Sequence, residues 1–241
     1  MRILVKISGE ALASGSSGVF SDEAITKVVD QLLFLHENNI DLPVVVGGGN
    51  IFRGSSSSDW NIERAEADNV GMLGTIVNGI LLRAKFEAAS TVPIRLMSAV
   101  DIPQIGEKYV RRRAKRHLEK RRIVILTGGI GEPYLTTDYP SVQRAVELGC
   151  ETVLAVKNGI DAVYESDPSE TPNARKFSSL TFEHAIKESL GFMDRAALVL
   201  AEQHDMKIRV LGFEDQQAAL KALKDGGIGT TVTRTGPISY H

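Results

Sequence analysis

Residues 44–54 read Val44-Val45-Val46-Gly47-Gly48-Gly49-Asn50-Ile51-Phe52-Arg53-Gly54. Three β-branched residues in succession, with Pro43 before them, predict a short strand that is buried on both faces. The three glycines that follow cost backbone entropy unless something requires bare backbone. Backbone N–H groups bind phosphate oxygens, and Arg53 adds a guanidinium suited to bidentate phosphate contact. The stretch predicts a phosphate-binding turn; the alternative is a tight strand-to-helix turn with a surface arginine.

The composition is that of an ordinary globular protein. The 241 residues are 43% hydrophobic and 24% charged, with a formal net charge of -2, which argues against a general nucleic-acid or membrane binder. A single cysteine, Cys150, excludes a disulfide framework and fits a reducing compartment. Residues 1–8 already read as a strand, so we expect no signal peptide, no membrane span and a cytoplasmic protein.

Strand-like and helix-like stretches alternate along the chain. This alternation predicts right-handed crossovers and an open, mainly parallel sheet covered by helices on both faces, which is a three-layer αβα sandwich. Glycines inside one long helix predict close helix–helix or helix–sheet approach, or a subunit interface. The predicted strands lie near residues 3–7, 44–46, 94–97, 123–126, 152–156, 208–211 and 230–233. The predicted helices lie near residues 22–33, 65–89, 107–122, 140–148, 182–188, 194–204 and 215–224, and residues 169–179 are predicted to be a polar excursion.

The suggestive loops all follow predicted strands. They comprise Ser8-Gly9, residues 47–49, residues 127–138 and residues 158–161. In an open α/β sheet, ligands bind at the carboxyl ends of the strands, so we expect these loops to form one site. Neither G-x-x-x-x-G-K-[ST] nor G-x-G-x-x-G occurs in the strand–turn–helix context that each requires. The sequence therefore predicts a kinase of a non-standard type, or another phosphate binder.

Five motifs, in order, resemble those of the bacterial uridylate (UMP) kinases of the amino acid kinase superfamily. The resemblance runs from about Arg2 to the Val232 strand and implies the amino acid kinase fold. It also implies one domain, 1–241, with an acceptor lobe near 1–156 and an ATP-binding lobe near 157–241. The motifs are Lys6-Ile7-Ser8-Gly9-Glu10-Ala11-Leu12, the glycine turn up to Gly54, Ala67-Asp68-Asn69-Val70-Gly71-Met72, Thr136-Thr137-Asp138, and Val163-Tyr164 with Asp167-Pro168.

The resemblance implies ATP-dependent phosphorylation of UMP to UDP in pyrimidine nucleotide (CTP) biosynthesis. Mg²⁺ would arrive on ATP, with no protein metal ligand assigned. A cytoplasmic homohexamer and the effectors GTP and UTP are also implied, although residues 13–20 match the effector-responsive segment weakly. Two alternatives stay open: a superfamily kinase with a changed acceptor, and a non-catalytic relative that binds or stores a nucleotide.

By resemblance, the catalytic residues are Lys6, Arg53, Asp138 and Asp194. Phosphoryl transfer needs positioning and charge neutralisation, which suits two cations and an orienting acid. Each position also has an ordinary structural interpretation. Lys6 would be a strand-end lysine whose ammonium reaches water, and Asp138 and Asp194 would be helix N-caps.

The remaining site residues divide between the two nucleotides. The resemblance assigns to ATP Lys6, Ile7, Ser8, Gly9, Gly49, Arg53, Asn158, Tyr164 and Asp167. It assigns to UMP Gly48, Asp68, Ile130, Gly131, Glu132, Pro133, Tyr134, Leu135, Thr136 and Thr137. The structural alternatives are a first-turn helix acid for Asp68, an Asn-Gly turn at Asn158, a core tyrosine at Tyr164 and an Asp-Pro turn at Asp167.

The acceptor loop departs from the family pattern at two positions. The usual acceptor loop of the family reads nearer Gly-Thr-Gly-Asn-Pro-Phe-Phe, whereas here Ile130 removes a hydroxyl and Glu132 replaces an amide with a charge. Such changes shift substrate discrimination.

A basic run at residues 111–122 resembles a nucleic-acid patch, but it has no interleaved aromatic residues, so we interpret it as a solvated helix face. The five histidines show no metal-ligand spacing.

Overall fold

The computed structural model describes residues 1–13, 18–157, 159–168, 170–212, 216–225 and 227–241. Within them the chain forms strands β1–β11 and helices α1–α7. The strands are β1 Ile3–Ile7, β2 Pro43–Val46, β3 Ile94–Ser98, β4 Glu107–Lys108, β5 Ile123–Thr127, β6 Thr152–Lys157, β7 Val163–Tyr164, β8 Lys176–Thr181, β9 Lys207–Gly212, β10 Thr230–Thr233 and β11 Ser239–Tyr240. The helices are α1 Asp22–Glu37, α2 Arg64–Ala89, α3 Arg111–Glu119, α4 Asp138–Leu148, α5 Phe182–Lys187, α6 Arg195–Gln203 and α7 Gln216–Asp225.

The strands form one mixed sheet in the order β11-β8-β10-β9-β6-β1-β2-β5-β3-β4, with β7 paired to β8. The central strands run parallel, whereas β10 is antiparallel to β9, and β7 and β11 are antiparallel to β8. The predicted mainly parallel sheet is therefore confirmed. Ile7 pairs with both Val46 and Val156. This register brings the carboxyl ends of β1, β2 and β6 to one edge.

Helices cover both faces of the sheet because the central strands are apolar on both faces. In β1, Ile3, Val5 and Ile7 pack in the core beneath α1, α2 and α7, whereas Leu4 packs in the core beneath α3, α4, α5 and α6. The αβα sandwich is confirmed. Because side chains alternate along a strand, Lys6 shares the face of Leu4 and is directed toward the α4 layer.

Helix α2 lies very close to the sheet at Gly79. A β-carbon added there would lie 2.5 Å from Thr127 Cγ2 and 2.8 Å from Leu96 Cδ1. A larger residue would push the helix away from β3 and β5, so the predicted close helix–sheet approach is confirmed.

The helix predicted over residues 107–122 is wrong in its first part. Glu107 and Lys108 form β4 on the outer side of β3, and Tyr109 N donates to Ser98 O at 2.8 Å. Helix α3 begins only at Arg111. Sheet-edge pairing overrides the helical propensity of the charged residues here.

Strand β8 occupies part of the segment predicted to be a polar excursion. Phe177 and Leu180 are buried, while the hydroxyls of Ser178 and Ser179 lie 2.7 and 2.8 Å from Ser239 Oγ. The strand is therefore completed by β11, which the sequence did not predict. None of the helices in the described part of the chain is both long and apolar enough to cross a membrane.

Candidate active site

A cleft of about 450 Å³ opens at the carboxyl edge of the central strands. Its volume is typical of sites for small molecules. Glycine backbone from the turn after β2 forms part of the wall. The charged residues of the described lining are four cations, Lys6, Arg53, Arg64 and Lys157, and three carboxylates, Glu10, Asp68 and Asp138.

An ion pair between Lys6 and Asp138 lies in this cleft. Lys6 Nζ is 2.7 Å from Asp138 Oδ1, and the two side chains are 8% and 14% exposed. Asp138 is the first residue of α4, and its Oδ2 accepts from Asp194 N at 3.1 Å. Burial would raise the pKa of Asp138, but the charges of Lys6 and Lys157 hold it below its ordinary value. The N-cap position belongs to Thr137, so the capping interpretation of Asp138 is wrong.

The glycine turn packs against α2 as well as facing the cleft. A β-carbon at Gly48 would lie 2.5 Å from Gly71 O and 3.0 Å from Thr75 N. Asn78 Nδ2 donates to Gly47 O at 2.6 Å and fixes the start of the turn. Among the described residues, the N–H groups of Gly48 and Gly49 donate to no protein acceptor. These two donors are therefore available to an anion in the cleft.

Arg53 forms an ion pair with Glu10 at the cleft. The side chains of Arg53 and Glu10 are 61% and 37% exposed. Exposed ion pairs contribute about 0–1 kcal/mol. A phosphate can therefore replace Glu10 as the partner of Arg53 at low cost.

Asp68 connects α2 to the loop after β5. Both of its carboxylate oxygens accept from Arg64 Nε at 2.9 Å, and Oδ2 also accepts from Tyr134 N at 2.9 Å. Tyr134 has φ 69°, a conformation that is uncommon for a bulky residue. Because α2 begins at Arg64, Asp68 lies in the second turn, and the interpretation as a first-turn helix acid is wrong.

Thr75 makes a second connection between α2 and this loop. Its hydroxyl accepts from Gly128 N at 2.7 Å and donates to Met72 O at 2.7 Å. Thr75 is buried and lines the cleft. The residue therefore holds the loop start in place through a hydrogen bond that no spacing in the sequence indicates.

The predicted acceptor loop is only partly in the cleft. Leu135, Thr136 and Thr137 line it. Outside the described lining are Ile130, Gly131, Glu132, Pro133 and Tyr134. Glu132 is exposed and Tyr134 is 64% exposed, so this part of the loop lies at the rim.

Asp194 caps α6 and contacts the acceptor loop. Its Oδ1 accepts from Ala197 N at 2.7 Å, which confirms the N-cap interpretation. Its Oδ2 accepts from Thr136 Oγ1 at 2.5 Å. Burial raises the pKa of Asp194, although the hydrogen bonds from Thr136 and Ala197 oppose that rise. A catalytic part for Asp194 stays a prediction.

The residues predicted to bind ATP fall into two groups. Lys6, Ser8, Gly9, Gly49 and Arg53 line the cleft, and Ile7 is buried in β1 just before them. Tyr164 and Asp167 lie outside the described lining. Tyr164 is half-buried rather than a core residue, and its hydroxyl donates to Asp161 Oδ1 at 2.7 Å. Asn158 and residues 14–17 lie outside the described residues.

Among the polar and charged side chains of the described lining, four were not predicted to be in the site: Glu10, Arg64, Thr75 and Lys157. Glu10 belongs to the first quoted motif, and Arg64 lies four residues before Asp68, the spacing of helical ion pairs. Lys157 directly follows a predicted strand, at the edge where ligands are expected. These three carried a sequence signal, whereas Thr75 did not.

The described residues contain no group of three or more His, Cys, Asp or Glu side chains that could hold a metal ion. In the cleft, Asp138 and Glu10 are paired with Lys6 and Arg53. The donor set fits Mg²⁺ held largely by nucleotide phosphates rather than by a protein cage.

The sheet and the cleft define an α/β protein with an anion-binding site built from cations and backbone amides. The sequence comparisons agree with this class. Residues 1–212 match the amino acid kinase family, and the chain belongs to that family. This confirms the membership predicted from the motifs.

Individual relatives match along nearly the whole chain. The uridylate kinase of Frankia alni is 42% identical over 98% of this chain and 92% of its own length. The uridylate kinase of Pediococcus pentosaceus is 39% identical over 96% of this chain and 95% of its own length. The crystal structure of UMP kinase from Bacillus anthracis has a TM-score of 0.95 and 34% identity, covering 100% of this chain and 98% of that one.

Proposed function

We propose that this chain is a UMP kinase, which transfers the γ-phosphoryl group of ATP to UMP and forms ADP and UDP. The observation that carries the proposal is the Lys6–Asp138 ion pair in a cleft where the N–H groups of Gly48 and Gly49 donate to no described residue. It is supported by similarity to uridylate kinases over nearly the whole chain. The product would serve pyrimidine nucleotide biosynthesis.

In the proposed reaction, an oxygen of the UMP phosphate bonds to the γ-phosphorus of ATP. The bond from that phosphorus to the bridging oxygen breaks, and the electron pair stays on ADP. Such a reaction requires positioning and stabilisation of negative charge. Lys6, oriented by Asp138, would stabilise the transferring group, while Arg53 and the N–H groups of Gly48 and Gly49 would bind the phosphates.

The two nucleotides would occupy opposite ends of the cleft. UMP would lie toward Asp68 and the loop Leu135 to Thr137, and ATP toward Ser8, Gly9 and β6. Ile130, Glu132 and the other rim residues would contact UMP only if the loop folds inward. Tyr164, Asp167 and Asn158 would extend the ATP side beyond the cleft.

We also propose that Mg²⁺ enters with ATP. The cleft carboxylates Glu10 and Asp138 are already paired with cations, so the metal would be held chiefly by the phosphate oxygens. Bound there, Mg²⁺ would neutralise phosphate charge. The chain's own residues would orient the phosphates around it.

For the assembly we propose a homohexamer in the cytoplasm, with GTP and UTP as effectors. An apolar stripe on α2 supports an interface between copies, because Val70, Leu73 and Val77 are 42%, 50% and 45% exposed. The single cysteine, Cys150, is buried and unpaired, which suits a reducing compartment.

The test is ADP release by the purified protein with Mg²⁺-ATP. The acceptors compared are UMP, CMP, dCMP, acetylglutamate, carbamate and none. We expect turnover with UMP, loss of turnover in Lys6→Ala and normal turnover in Lys27→Ala, because Lys27 is an exposed α1 residue. Turnover with a different acceptor would contradict UMP specificity but keep the kinase. ATP binding without any turnover would instead support a nucleotide-binding relative.

A further inference from the structure

Lys157 lines the cleft, and no described residue forms an ion pair with its side chain. It ends β6, and the residue before it, Val156, pairs with Ile7 of β1. Its half-buried side chain therefore lines the cleft beside Lys6, on the side away from Asp68. Because Asp68 marks the acceptor end, Lys157 lies at the opposite end.

The charges of the cleft leave Lys157 unmatched. Lys6 pairs with Asp138, Arg53 with Glu10, and Arg64 with Asp68. Among the described residues, the Lys157 side chain makes no ion pair and no hydrogen bond. Four cations thus face three carboxylates in the described lining.

This arrangement disfavours the charge on Lys157 while the cleft is empty. Burial lowers the pKa of Lys157, and repulsion from Lys6 and Arg53 lowers it further. Attraction to Asp138 and Glu10 opposes the change but does not reverse it. A cation held in this way gains most when an anion arrives.

We infer that Lys157 is a second catalytic lysine, which contacts the triphosphate of the donor nucleotide; this rests on the proposed kinase function. As the bond between the γ-phosphorus and the bridging oxygen breaks, negative charge develops on the departing ADP. The Lys157 ammonium stabilises that charge and keeps its proton, while Lys6 serves the transferring group. The position also explains why the cleft carries one cation more than its own carboxylates require.

The structural alternative is a lysine whose stem fills space at the end of β6 and whose ammonium only reaches water. The two interpretations predict opposite results for stability. Removing a stem that packs would lower the unfolding temperature. Removing an unmatched, partly buried charge would not lower it.

The experiment compares the wild type with Lys157→Ala, which removes stem and charge, Lys157→Met, which keeps the stem length, and Lys157→Arg, which keeps the charge. We expect Lys157→Met to lower kcat/KM for Mg²⁺-ATP by roughly 100-fold, as for loss of one transition-state contact. KM for UMP should not rise, and the unfolding temperature without nucleotide should not fall. The rise in unfolding temperature caused by Mg²⁺-ATP should shrink, while the rise caused by UMP stays.

The pH profile gives a further readout. In the wild type, kcat/KM for ATP should fall on the alkaline side as Lys157 loses its proton among Lys6, Asp138, Glu10 and Arg53. Lys157→Arg should retain most activity and move that fall to higher pH, because arginine stays protonated. Lys27→Met is the matched control and should behave as the wild type.

Wild-type kinetics in Lys157→Met, or a lower unfolding temperature of Lys157→Ala with an unchanged response to ATP, would overturn the inference. If Lys157→Met fails to fold, Lys157→Arg still decides, since an unmoved alkaline fall contradicts it. Failure of the proposed kinase function would give a different experimental result. The wild type would then lack UMP-dependent turnover, and the ATP-induced shift in unfolding temperature would still test the contact of Lys157 with ATP.

Discussion

At the residue scale, Asp138 holds the buried cation Lys6 in the cleft where we expect a phosphate to bind. Its carboxylate bonds Lys6 Nζ at 2.7 Å and Asp194 N at 3.1 Å, so it joins β1 to the start of α6. Because Lys6 is only 8% exposed, its charge depends on this partner. Asp138 therefore stabilises the fold and orients Lys6 at the same time.

This dual role predicts a pH-dependent effect of Asp138→Asn. The folded-state pKa of Asp138 is lowered, so its stabilising contribution is present above the unfolded-state pKa and is lost as pH falls through the folded-state value. Near neutral pH we expect the variant to lose about 3 kcal/mol of unfolding free energy. As pH falls through the lowered folded-state pKa, the wild type should lose its advantage because its own carboxyl group takes up a proton.

Urea denaturation of both proteins across the acid range measures this difference. Asp30→Asn is the control, because Asp30 is exposed on α1 and makes no ion pair among the described residues. A difference that stayed constant down to the lowest pH would contradict an ionic role for Asp138.

Site residues differed in how far the sequence could predict them. Lys6 and the glycine turn were predictable because they follow β-branched strands whose carboxyl ends must meet in a parallel sheet. The pairing of Arg53 with Glu10 and the bond from Gly128 N to Thr75 join distant segments, so no local pattern contains them. Tyr164 shows the reverse, a motif residue that the structure places outside the described cleft lining.

At the scale of elements, the glycine turn depends on α2 as much as on any ligand. Gly48 presses against the helix backbone at Gly71 O and Thr75 N, so the turn and the helix position each other. The sequence predicted bare backbone here for phosphate binding. It did not predict that packing alone excludes a side chain at Gly48.

We therefore expect Gly48→Ala to be severe. The added carbon would lie 2.5 Å from Gly71 O, and backbone cannot rotate away as a side chain can. The turn or α2 must shift, which should lower kcat/KM for UMP by about 100-fold or more, since misplacement of about 1 Å has that effect. Overpacking should also cost about 1–3 kcal/mol of stability.

Steady-state kinetics and thermal unfolding check this prediction, with Gly191→Ala as the matched control. A β-carbon at Gly191 meets nothing within 4 Å, so the same chemical change should leave activity and stability near the wild-type values. Near-normal activity in Gly48→Ala would show that the turn tolerates displacement from α2.

Elements were predictable where their pattern is local. The long helix α2 and the central strands have continuous apolar periodicity, and they were located within a few residues. Strand β8 was missed because Ser178 and Ser179 interrupt the alternation of apolar and polar residues. Their hydroxyls bond to Ser239 of β11, which is distant in the sequence. The helix predicted from Glu107 begins only at Arg111, because Glu107 and Lys108 pair with β3 and form β4.

At the scale of the whole molecule, the strand order decides which residues lie at each end of the cleft. Strand β6, carrying Lys157, lies on one side of β1, and β2 and β5, next to α2, lie on the other. In the proposed reaction, Lys6 would therefore lie between the donor nucleotide and the acceptor. Helix α2 lines the cleft with the face that carries Asp68 and Thr75, so its opposite face is available for contacts between copies.

That opposite face predicts an effect on assembly. Val70, Leu73 and Val77 recur at helical spacing and are each at least 42% exposed, an arrangement that favours burial against another copy. Leu73→Asp should place an unpaired charge in that interface and produce smaller species. Light scattering coupled to size-exclusion chromatography measures the mass, and Val110→Asp, at a position 44% exposed, is the matched control. An unchanged mass in Leu73→Asp would show that α2 is not an interface. A reduced mass together with raised KM for UMP would show that contacts between copies support the part of the cleft lined by α2, because that helix carries Asp68 and Thr75.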